Sequence, residues 1–74
     1  MKHQDYDQLA ASAKSQLQYC RAEKAQTGRR ALEAYLFKDW EKFGKLSEQI
    51  GFWNQSILYW KKRAALYQQA ASYQ

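Results

Sequence analysis

Between Phe43 and Ala71 the apolar residues fall at Phe43, Leu46, Ile50, Trp53, Ile57, Trp60, Ala64, Tyr67 and Ala71, separated alternately by three and four. That spacing is the a/d seam of a heptad helix. A strand would need alternation by two, which this chain never sustains. A second stripe, Phe52, Tyr59, Leu66 and Tyr73, repeats every seven residues on the same stretch. At roughly 100° per residue it lies about 100° around from Trp53, Trp60 and Tyr67. One helix with two apolar seams must pack against two things.

The rest of the chain favours helix as well. There is no proline, and the three glycines, Gly28, Gly44 and Gly51, stand alone. Ala, Gln, Lys, Glu and Leu dominate, and all of them form helices readily. The fold class is therefore all-α. The first segment begins near Asp5, with Asp5 and Asp7 suited to the positive end of a helix dipole. Its seam is thin and alanine-rich: Tyr6, Ala10, Ala13, Leu17 and Cys20. The pattern drifts through Lys24 and resumes at Ala31, Leu32, Tyr35 and Leu36. An alanine-lined face lets a neighbouring helix approach closely and receive the tryptophans of the second segment.

Two break schemes fit. In an antiparallel helical hairpin, one helix runs over about 5–37, a turn occupies 38–39, and a second helix runs over about 40–73. Asp39 then caps Trp40-Glu41-Lys42, and each arm is about 50 Å long at 1.5 Å per residue. In a compact three-helix bundle, Gly28 and Gly51 each end a helix, and Thr27 or Asn54 caps the next. The unbroken seam through Gly44 and Gly51 favours the hairpin. The cost of glycine in a helix interior, roughly 1 kcal/mol each, favours the break.

At 74 residues the chain is a single domain near the lower size limit for a self-sufficient core. Small chains usually add disulfides, a metal or a partner. Cys20 is the only cysteine and His3 the only histidine, so an internal disulfide is excluded and neither a metal nor a cofactor is expected. Association with a protein partner, or with a second copy as a homodimer, is the remaining route. Nothing at the N-terminus resembles a signal peptide, and no segment has the ~18 apolar residues of a membrane span. A cytoplasmic protein with Cys20 as a reduced thiol is expected.

The net charge of +5 is unevenly placed: residues 52–74 carry Lys61, Lys62 and Arg63 and no acid. The stretch from Leu46 to Lys62 resembles the repressor-type helix-turn-helix motif, with Ser47, Ile50, Gly51, Phe52, Ile57 and Trp60 in the family's places. Trp53 departs from it, standing where the family prefers a Ser or Thr cap. The resemblance implies that Asn54, Gln55 and Tyr59 face bases while Lys61, Lys62 and Arg63 face phosphates. The run Phe37-Lys38-Asp39-Trp40-Glu41-Lys42-Phe43, followed by Leu46, Trp53, Ser56 and Ile57, resembles the turn and second helix of small hairpin co-chaperones of type III secretion systems. It is also similar to the Kil-type cell-division inhibitors of temperate phages. Both resemblances imply proteins that act by binding another protein. The basic aromatic stretch Trp60-Lys61-Lys62-Arg63, with Phe52 and Tyr59, could also lie on a membrane surface, but the seams place Glu48, Gln55 and Gln69 on the polar face and only one basic cluster is present.

No catalytic constellation is present. Cys20 has no histidine near it in sequence, no glycines cluster to cradle a phosphate, and Asp39, Glu41 and Glu48 read as a cap and solvated faces. The chain is expected to be a non-enzymatic helical interaction module: an adaptor, an inhibitor or a chaperone-type subunit, including a phage host-targeting protein. Phe43, Leu46, Ile50, Trp53, Ile57, Trp60 and Tyr67 would form the hairpin core, and Phe52, Tyr59, Leu66 and Tyr73 the contact surface. A DNA-binding regulator using Asn54, Gln55, Lys61, Lys62 and Arg63 is the alternative.

Overall fold

A computed structural model describes residues 5–73. Asp5 leaves the helical conformation, and its carboxylate accepts a hydrogen bond from the Gln8 amide at 3.1 Å, which starts helix α1, Tyr6–Leu36. Asp39 does the same for helix α2, Trp40–Ser72, accepting from the Lys42 amide at 3.2 Å. Glu41 adds a negative charge in the first turn of α2. These are the only helices among the described residues, so the hairpin is the observed architecture.

The link between them is a Schellman turn. The Asp39 amide donates to the Ala34 carbonyl at 2.9 Å and the Lys38 amide to the Tyr35 carbonyl at 3.1 Å. Lys38 has a φ of 58°, the left-handed conformation that glycine usually supplies. Asp39 thus finishes one helix with its amide and starts the next with its carboxylate.

The three-helix alternative is corrected. Gly28 and Gly51 lie inside continuous helix, and no glycine has a positive φ. Neither Thr27 nor Asn54 caps anything; the Thr27 hydroxyl donates to the Glu23 carbonyl one turn back, at 2.8 Å. Burial against a long neighbouring helix outweighs the modest propensity cost of those glycines.

The helices pack antiparallel, with Tyr6 beside Tyr67 and Tyr19 beside Trp53, in a body of 58 × 17 × 14 Å. The division of labour is unequal. α1 contributes mostly small buried residues: Ala10, Ala13, Cys20, Thr27, Ala31 and Ala34. α2 contributes bulk: Leu46 and Ala64 are buried, and Phe43, Ile50, Trp53, Ile57, Trp60 and Tyr67 are half-buried. The α2 seam therefore lies where its spacing put it. On α1 the observed seam runs Cys20, Lys24, Thr27, Ala31, Ala34, keeping the three-four count throughout. Leu32, Tyr35 and Leu36, read from sequence as its continuation, are exposed instead.

Candidate docking surface

Two helices enclose too little to hide their large side chains, and none of those is wholly buried. The accessible surface is 6114 Å². A compact monomer of 8.8 kDa would expose about 4,800 Å², so the hairpin carries roughly 1,300 Å² more. Large aromatic and aliphatic side chains stand exposed in two places.

The first is the stripe expected on α2. Phe52, Tyr59, Leu66 and Tyr73 are all exposed, with Phe52 at 60% and Tyr73, just past the helix end, at 82%. Phe52 stands edge-on to Trp53 with ring centroids 5.2 Å apart, and Tyr59 edge-on to Trp60 at 5.0 Å. Tyr19 of α1 meets the same Trp53 edge-on at 6.0 Å. The half-buried tryptophans of the seam therefore brace the exposed rings, an arrangement that lowers the entropy lost when such rings are covered. Tyr19 and Phe52 each precede a seam residue, Cys20 and Trp53, by one position, which by helical count sets Tyr19 and the stripe on one side of the antiparallel hairpin.

Arg63 lies over the Tyr59 ring, 5.2 Å from its centroid. Attraction from Tyr59, with a smaller contribution from Tyr67, holds the guanidinium pKa above its ordinary value. Lys61 and Lys62 are exposed; at about 100° per residue Lys61 projects away from the stripe, while Lys62, three residues after Tyr59 and four before Leu66, flanks it on the side opposite Arg63.

The second patch was missed in the sequence. At the turn, Tyr35, Trp40 and Phe43 form a three-ring cluster with centroids 5.5, 5.7 and 6.2 Å apart. Leu32, Leu36 and Phe37 stand exposed near it, Phe37 at 80%. The signal was available: Leu32, Tyr35 and Leu36 fall off the three-four count that Ala31 and Ala34 keep.

Asn54, Gln55, Lys61, Lys62 and Arg63, the nucleic-acid candidates, are exposed along continuous helix. The turn that the helix-turn-helix resemblance requires at Gly51 is absent, because α2 passes through it unbroken. Cys20 is a free, buried thiol on the helix–helix seam, and His3 lies outside the described residues. Among the described residues no three metal-binding side chains gather, and no helix is long and apolar enough to cross a membrane. The chain matches no family model, no curated protein and no solved structure.

Proposed function

We propose that this chain is a non-enzymatic protein-binding module, working in the cytoplasm as an adaptor, an inhibitor or a chaperone-type subunit, with Phe52, Tyr59, Leu66 and Tyr73 as its contact surface. What supports this is a row of braced apolar side chains left in water on a protein whose accessible surface exceeds that of a compact monomer by roughly 1,300 Å². A phage protein aimed at a host target is one form of the same activity.

The test is capture from a nuclease-treated lysate of the source organism, comparing the native chain with Tyr59→Ala/Leu66→Ala and with Lys61→Ala/Lys62→Ala. A stable interaction lost in the first variant and kept in the second is the expected outcome. The competing activity is duplex DNA binding by Asn54, Gln55, Lys61, Lys62 and Arg63. Sequence-selective binding lost with Asn54 or Gln55, and a salt slope flattened by about 1 to 2 units in the lysine variant, would replace the protein-binding reading.

A further inference from the structure

The occupant that best fits the α2 stripe is a second copy of this chain. We propose that two hairpins pair stripe to stripe, antiparallel, about a two-fold axis passing beside Ser56, with Arg63 of each copy against Glu23 of the other. This rests on the reading of the stripe as a protein-docking surface.

Exposure makes the pairing possible: Phe52, Tyr59 and Leu66 are 60%, 49% and 57% exposed, so covering them contributes to the about 600–1,000 Å² that a stable interface removes from each partner.

Charge selects the arrangement. An isologous interface requires that when one residue meets another, the second also meets the first. Tyr19 stands beside Trp53, so Glu23, one turn further along α1 on the same side, is level with about residue 49 of α2. That level is about 10 Å from Ser56 toward the turn, and Arg63 is about 10 Å from Ser56 toward the open end. By helical count, Glu23 and Arg63 are the charged residues within that distance on the side of the stripe that faces α1, while Lys62 flanks its outer side. A two-fold axis perpendicular to α2 at Ser56 superposes their levels, forming the same ion pair twice. An axis parallel to the helices would set Arg63 against Arg63 and Glu23 against Glu23.

Phe52 and Tyr59 obey the same symmetry, while Leu66 comes level with Lys45 and Leu46 of the second copy. Ser56 is small and half-buried, so it allows close approach at the axis. Phe52, four residues before it, comes alongside Tyr59 of the second copy, and Tyr59 alongside its Phe52. Both rings are already braced by Trp53 and Trp60. The turn-end clusters then project from opposite ends of the pair.

Sedimentation equilibrium of the full chain across the micromolar range tests this. The native chain should be dimeric. Arg63→Glu alone and Glu23→Arg alone should each raise the dissociation constant by at least about tenfold, and the two together should return it to near the native value. As a second measurement, Ser56→Cys should form a covalent dimer with a short bis-maleimide. The native chain, whose Cys20 is buried, should not. A monomeric native chain, a double variant no better than the worse single, or a Ser56→Cys chain that fails to cross-link overturns the proposal. If the native chain is monomeric yet captures a protein through Tyr59 and Leu66, the pairing falls and the docking function stands. Loss of both removes the two readings together.

Discussion

Replacing Gly51 with alanine tests the continuity of α2 directly. Gly51 is exposed in the helix interior without a positive φ, and a Cβ built there meets nothing within 4 Å. No steric cost offsets the gain in helix propensity, which is about 0.8–1.0 kcal/mol for alanine over glycine. In a chain of 74 residues, that corresponds to a rise of about 4–8 °C in melting temperature. Gly44 sits seven residues earlier on the same face, with the same open surroundings. At about 10 Å separation the two substitutions should add, giving about 2 kcal/mol for the double variant. The assay is thermal unfolding followed by far-ultraviolet circular dichroism at one fixed protein concentration, since association would make the midpoint depend on concentration. A lowered midpoint or lost helicity would mean that Gly51 interrupts α2, or that another helix needs its bare backbone, and would refute the reasoning.

The turn supplies two opposite predictions. Lys38→Gly should stabilise the hairpin by about 1 kcal/mol by relieving the left-handed lysine, and a lower denaturation midpoint would count against that conformation. Asp39→Ala should cost about 1 kcal/mol through loss of the α2 cap, and an unchanged midpoint would show the 3.2 Å bond to be immaterial. Ala13→Leu should cost about 1–3 kcal/mol, because Ala13 is 1% exposed against α2; a neutral result in urea unfolding would show slack between the helices.

The bulky half of this fold was legible and the small half was not. Phe43, Leu46, Ile50, Trp53, Ile57 and Trp60 announce a helix face by size alone. Alanine, cysteine and threonine announce nothing, since each is as acceptable on a surface as in a close helix contact. Thr27 looked like a gap or a cap, yet it is buried because its hydroxyl finds the Glu23 carbonyl within its own helix. Lys24 looked like a break in the pattern, but a long aliphatic stem lets lysine sit half-buried at the seam. Leu32, Tyr35 and Leu36 are the converse: their hydrophobicity suggests the core, but the count through Ala31 and Ala34 leaves them outside it. At Gly51 local propensity and the global seam disagreed, and in a long helix packed along its length the seam prevails. The α2 stripe was legible as surplus, because four large residues at intervals of seven cannot share a face with the seam.

The single tight turn also sets the order in which the hairpin opens. Leu46 joins Ala31 and Ala34 in a buried cluster flanked by Phe43 and Ile50, close to the turn in chain distance. Tyr6 and Tyr67 meet only at the far end. Closing that distant pair from an unfolded chain costs about 1–1.5 kcal/mol more in loop entropy than closing Ala34 onto Leu46. The molecule therefore zips from the turn outward and frays from the open end. Amide exchange should be slowest around Ala34 and Leu46 and quicken toward Ala10 and Ala64. Fraying there uncovers the inner faces of Trp60, Ala64 and Tyr67 while the turn cluster stays closed. The far half of α2 can then exchange its neighbour without unfolding the protein.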